Sequence, residues 1–134
     1  MGLRIEELTP EPIIIITGLD PVSRDDPLAV LAAVSRFKRL VSRHIYRIID
    51  LTYLTFDFDY VIYGMVKDTG EGGIDDPNVT TIYVGTHELV QYGVDLFKKE
   101  NARFGDTHSI FLFSSREEAL AYARGEINEL QSDG

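Results

Sequence analysis

Three carboxylates crowd one short stretch of this chain. Asp50, Asp57 and Asp59 fall within Asp50–Val66, DLTYLTFDFDYVIYGMV, which runs from an apolar β-branched segment through an acidic, aromatic turn into an amphipathic pattern. Carboxylates grouped at the C-terminal end of a strand can bind a hard cation or act as a general base. The same residue types at a helix start cap free N–H groups and favour the positive end of the helix dipole, and this assignment is preferred for Asp57 and Asp59. His44, His87 and His108 are dispersed, with none at ligand spacing from another, so no zinc site is expected. Ser114 and Ser115 lack a nucleophile elbow and are accounted for as helix caps. Gly70-Glu71-Gly72-Gly73 departs from the spacing of a phosphate-binding loop. Its Glu, with Asp75 and Asp76, would repel phosphate, so it reads as a turn. No catalytic residue, metal ligand or cofactor is assigned, and an enzyme is the weakest of the functional readings.

Two surfaces in the same stretch favour binding over chemistry. Tyr60, Tyr63 and Lys67 fall opposite the apolar positions Phe58, Val61, Ile62, Met65 and Val66, where they either meet a partner or lie beneath a neighbouring loop. With Thr55, Asp57 and Asp59 they form the candidate partner-binding set. Tyr53, Phe56, Phe58 and Met65 form an alternative set that would line a pocket for a lipid or other small apolar ligand.

The elements that must position these residues follow from periodicity and turn chemistry. Leu3–Leu8 reads as a short strand, Thr9-Pro10-Glu11-Pro12 as a turn, and Ile13–Thr17 as a buried strand. Asp26-Pro27 opens a helix, Asp26 serving as N-cap, that runs to about Ser42 on Val30, Leu31, Val34, Phe37 and Val41. Arg36, Arg39, Arg43 and Arg47 are assigned to a basic stripe along its far side and end. Tyr46–Leu51 is the next strand, and a second helix spans about Asp57 to Asp68. Thr69–Asn78 is a loop, Val79–Val84 a strand, and His87–Glu100 a third helix capped by Thr86. Ser109–Phe113 is the last strand. Ser115-Arg116-Glu117-Glu118 is a capping box opening a fourth helix with Ala119, Leu120, Ala123 and Ile127 on one face; the tail after Leu130 is expected to fray. The order predicts an α/β fold: a mixed, mostly parallel sheet of four to five strands with about four helices, the first two strands forming an antiparallel hairpin at one edge. One domain over 1–134, with its core at about 3–128, fits the length.

Composition narrows the class. With no Cys among 134 residues there is no disulfide framework or thiolate site. The apolar runs are too short to span a bilayer, and Glu6, Glu7 and Glu11 stand where a signal peptide needs positive charge, so a soluble cytoplasmic protein without membrane insertion is expected. A net charge of −9 disfavours nucleic acid as a partner. The charge is polarised: Arg36–Arg47 holds five bases and no acid, whereas Ile48–Leu96 holds nine acids against Lys67 alone. Such a chain can pair with a protein partner or with itself as a homodimer, although solubility and helix-dipole complementarity explain the same pattern.

In its order of elements, over about Leu3 to Ile127, the chain resembles the STAS domain of bacterial anti-sigma factor antagonists and of the cytoplasmic tails of sulfate transporters. Ile14–Leu31, IIITGLDPVSRDDPLAVL, looks like that family's strand, loop and first helix. Asp50–Val66 looks like its central strand and "F-x-D-S-S-G-L" helix start. Gly72-Gly73 with Val79–Val84 looks like its Gly-Gly turn and following strand, and Ser114–Leu120, SSREEAL, like its closing "S-x-E-E-A-L". The resemblance implies a non-enzymatic regulatory or protein-interaction module. It also implies a departure: Phe58, Asp59 and Tyr60 occupy the Asp-Ser-Ser positions, so the serine that a partner kinase phosphorylates in regulatory members is missing. Asp59 would supply a constitutive charge of roughly half a phosphate dianion. The CRAL-TRIO-like branch of STAS relatives, which binds apolar ligands, is a further resemblance. A receiver-like domain with Asp50 as phosphoacceptor is a third; it lacks the acidic pair after the first strand and the Lys after the last.

Overall fold

In a computed structural model, residues 2–20, 25–54, 63–64, 67–85, 88, 91, 95 and 110–132 are described. Five strands, β1 (Leu3–Glu7), β2 (Ile13–Gly18), β3 (Ile45–Asp50), β4 (Val79–Val84) and β5 (Ile110–Phe113), form one sheet in the order β1-β2-β3-β4-β5. β1 is antiparallel to β2, and every later pairing is parallel. The hairpin at one edge and the mostly parallel sheet agree with the pattern in the sequence. The hairpin closes through Leu8, whose N–H donates to Ile13 O at 2.9 Å, with a cis Thr9–Pro10 bond in the turn.

Two helices are described in full, α1 (Asp26–Val41) and α2 (Arg116–Ser132). Tyr63, Gly64 and Lys67, and then Glu88, Gln91 and Asp95, are also helical, inside the spans expected for the second and third helices. None of the described helices is long and apolar enough to cross a membrane.

The sheet is covered on both faces, which is why β2 reads as an unbroken apolar run: every one of its residues is buried. Strand alternation sends Ile13, Ile15, Tyr46, Ile48, Ile82 and Val84 to one side, under Ala119, Ala123 and Ile127 of α2. The two alanines, one turn apart, bring that helix close to the strands. Ile14, Ile16, Ile45 and Val79 face the other way and pack with Val34 and Phe37 of α1. These are the core positions that helical periodicity selects in both helices.

The ends of β1, β2 and β3 each differ from expectation by one residue. Asp26 is the first helical residue, and Asp25 stands at the N-cap with no side-chain cap bond. Ser42, in a left-handed conformation with φ 50°, ends α1 by donating its N–H to Lys38 O. α2 continues to Ser132, past the point where fraying was expected.

Candidate functional site

The crossover after β3 begins with a residue that the fold has already engaged. Asp50 ends the strand, points to the α2 face and is 2% exposed. Its Oδ1 accepts the Thr52 N–H at 3.0 Å; its Oδ2 accepts Arg116 Nε at 3.3 Å and Nη2 at 3.1 Å. Arg116 Nη2 also donates to Thr17 Oγ1 at 2.7 Å, and Nη1 reaches Glu6 Oε1 at 3.4 Å. One guanidinium in the first turn of α2 therefore ties together β1, β2 and β3. Both Asp50 oxygens are occupied by groups that hold the C-terminal edge of the sheet.

The next residues form a turn that sorts side chains inward and outward. Leu51 N–H continues the sheet pattern onto Val84 O, and Leu54 N–H closes back on Leu51 O. Leu54 is buried, and its Cδ1 lies 2.7 Å from where a Cβ on Gly18 would stand, so a side chain at Gly18 would displace Leu54. With Leu54 turned in, Thr52 and Tyr53 face solvent, Tyr53 at 61% exposure. Of the alternative ligand set, Tyr53 is described; Phe56, Phe58 and Met65 lie outside the described residues. So do Thr55, Asp57, Asp59 and Tyr60 of the partner-binding set. Tyr63 is half-buried and Lys67 exposed; they sit four residues apart, with Lys67 Nζ 5.8 Å from the Tyr63 ring centroid. That is a cation–π contact at a helical spacing that brings side chains together.

Behind this stretch lies a second network that the sequence pattern misassigned. Arg47 is not part of the basic stripe on α1. It sits mid-strand in β3 on the α1 face and is fully buried. Its guanidinium makes a fork with Asp68, Nη1 to Oδ1 and Nη2 to Oδ2 both at 2.6 Å, and also donates to Gly72 O at 3.0 Å and Thr81 Oγ1 at 3.1 Å. Burial opposes its charge, but the Asp68 carboxylate outweighs that and holds the guanidinium protonated. The adjacent Tyr83 hydroxyl is pushed well above its usual range by burial, with the Asp68 charge adding to the effect. The signal for Arg47 was present: in IYRIID, period two places it on the face of Ile45 and Ile49, where a charge must have a partner.

Asp68 begins a loop that is clasped to α1. Asp76 accepts the Gly72 N–H at 2.8 Å, the Asn78 N–H at 2.9 Å and Lys38 Nζ at 2.9 Å. Burial raises its pKa, but these three donors together bring it below the usual carboxylate range. Arg39 holds Glu71 at 2.7 Å, and Ser35 Oγ donates to Glu71 O. Gly72 has φ 81°, and a Cβ there would come within 2.9 Å of Ser35 Oγ. The Gly70 and Gly72 amides, which a phosphate cradle would need, point at Asp75 and Asp76 instead. Gly70–Gly73 is thus a turn, as expected.

The remaining candidates are placed as follows. His44 is half-buried, 2.7 Å from Thr80 Oγ1 and edge-on to Tyr46, and burial lowers its pKa. His87 and His108 lie outside the described residues. The Ser115 hydroxyl accepts the Glu118 N–H at 3.2 Å, and Ser114 donates to the Glu118 carboxylate, as helix-start residues should. Among the described residues no group of three or more metal-binding side chains comes together.

Fold and site thus define an α/β domain with a five-stranded mixed sheet, a structurally engaged aspartate at the end of its central strand, and an exposed turn just beyond it. Compared with family models, curated proteins and solved structures, the chain finds no match.

Proposed function

We propose that this chain is a non-enzymatic regulatory module of STAS-like type, with four helices on its sheet, working in the cytoplasm through a protein contact made by the turn and helix start at Thr55–Tyr63. Thr55, Asp57, Asp59, Tyr60, Tyr63 and Lys67 form the contact, and no serine switch operates at its centre. The observation that carries the reading is the division of labour at the end of β3. Asp50, the residue best placed for chemistry, is consumed by Arg116 and the Thr52 amide, while Tyr53 immediately after it is turned out to solvent. An aromatic side chain displayed just beyond the end of a central strand suits recognition, because it buries area at little entropic cost. The mostly parallel sheet with an antiparallel first strand is the layout expected from the order of elements on which the resemblance rests.

The test is photo-crosslinking in cells with a photoreactive residue at position 60. A discrete adduct, absent when Asp59→Lys is added and absent when the probe is moved to Arg124 on α2, is the expected result. A probe at position 60 that captures nothing more than the probe at Arg124 would sink the reading.

A further inference from the structure

A different surface carries a more specific conclusion. β1 is the edge of the sheet, and its residues divide cleanly by backbone direction. Leu8 bonds to Ile13 and Gly2 to Leu19, in the register that pairs Leu3 with Gly18 and Glu7 with Ile14. Alternation along an antiparallel ladder then aims the N–H and C=O groups of Gly2, Arg4, Glu6 and Leu8 at β2, and those of Leu3, Ile5 and Glu7 outward. No described strand lies beyond them. Leu3–Glu7 contains no Pro, no Lys and no glycine bulge, and its charges, Arg4, Glu6 and Glu7, are of both signs. Ile5, at its centre, is 42% exposed.

We propose that β1 is the contact strand of a two-fold dimer, in which two copies of this chain join their sheets edge to edge, antiparallel about Ile5. The charges select that register. With Ile5 opposite Ile5 of the second copy, the outward groups of Leu3 and Glu7 bond to the second copy's Glu7 and Leu3. Arg4 then stands directly opposite the second copy's Glu6, once on each side of the axis, in the non-hydrogen-bonded positions where cross-strand side chains are closest. The two neighbouring registers that preserve the outward bonding place Arg4 against Arg4, or Glu6 against Glu6. The strand is complementary to itself in one alignment and repulsive in the adjacent ones.

The helix above agrees. Leu40 is 65% exposed and lies two residues from Lys38, about 200° around α1. Lys38 faces the loop on the β3 and β4 side, so Leu40 lies on the flank above β1. The dimer covers Leu40 and Ile5 together. An isologous closed pair of this kind also uses up the edge that would otherwise recruit further strands.

Sedimentation and light scattering of the intact chain test the proposal, with the expected particle at twice 15.1 kDa. Arg4→Glu alone and Glu6→Arg alone each place like charges opposite one another twice, and each is expected to weaken association by about tenfold or more. An equimolar mixture of the two variants restores opposite charges at both positions and is expected to recover the dimer. In the wild type, the Leu3, Ile5 and Glu7 amides are expected to be protected from exchange, which requires no substitution. A monomer at every concentration, variants that dimerise as the wild type does, a mixture no better than its components, or unprotected Leu3, Ile5 and Glu7 amides would each overturn it. The residues concerned are separate from Thr55–Tyr63, so this dimer and the proposed partner contact can fail independently.

Discussion

Arg47, within β3, pairs with Asp68, and Arg116 pairs with Asp50 at the end of β3, on opposite faces of the sheet and to different ends. Arg47 is sealed inside, with a two-pronged carboxylate fork, a loop carbonyl and a hydroxyl, and all of its partners lie on β4 or in the loop beginning at Asp68. Arg116 is partly exposed, at 27%, and spreads its bonds, 2.7 to 3.4 Å long, over three strands from outside. An arginine buried in this way cannot lose its partner without leaving a charge in a dry interior, whereas water can replace much of what Arg116 provides. The first network fixes the loop that follows Tyr63 and Lys67; the second secures the strand end that precedes Tyr53. Structural pairs therefore flank the stretch between them on both sides.

Removing the guanidinium at the buried node should have the largest effect. Arg47→Met leaves Asp68 buried and unpaired, and is expected to cost about 3–5 kcal/mol, read as a fall in Tm of roughly 10–20 °C. The double variant Arg47→Met with Asp68→Leu should be more stable than Arg47→Met alone, because the orphaned charge is gone. If the two substitutions were simply additive, the fork would not be an obligate pair. Arg116→Ala should cost about 1–2 kcal/mol in denaturant titration, since Asp50 keeps the Thr52 amide and gains access to water. A loss equal to that of Arg47→Met would erase the distinction between the two faces.

Acid should act on the loop through Asp76. The Asp76 pKa is depressed in the folded chain, so its contribution to stability is fully present above the ordinary aspartate value of 3.8 and is lost as pH falls through the lower folded value. The Gly72 and Asn78 amide resonances, whose protons it accepts, should shift together in that window below pH 3.8. Amides that hold their positions there would show that Asp76 does not govern the loop.

Most of the scaffold was legible because it depends on patterns with fixed periods. The apolar run Ile13–Thr17, the β-branched run Val79–Val84 and the Ala119, Ala123 and Ile127 face of α2 each mark an element by local pattern, and the alternation of strands with helices predicts the mostly parallel sheet. Pairings between distant residues were not legible. Arg47 reads as part of a basic cluster in the sequence and is found in the core because its partner lies 21 residues away. Arg116 reads as a capping-box residue, and its bonds to Thr17 and Asp50 span 99 and 66 residues. Local propensity carries no information about such contacts. The Asp50 carboxylate stands out in the sequence by its position, yet its occupation by Arg116 depends on how α2 docks.

On the proposed reading, the stretch beyond Asp50 serves recognition while the pairs on either side serve structure. Parallel measurement of Tm and of the photo-crosslinked adduct in Asp59→Lys with Tyr60→Ala, taking the photoreactive residue at Tyr53, tests it most directly, with Arg47→Met as the reference. The account predicts that the double variant keeps the wild-type Tm to within a few degrees and loses the adduct, whereas Arg47→Met loses Tm. A double variant that melts as low as Arg47→Met would contradict it, because Asp59 and Tyr60 would then be part of the scaffold.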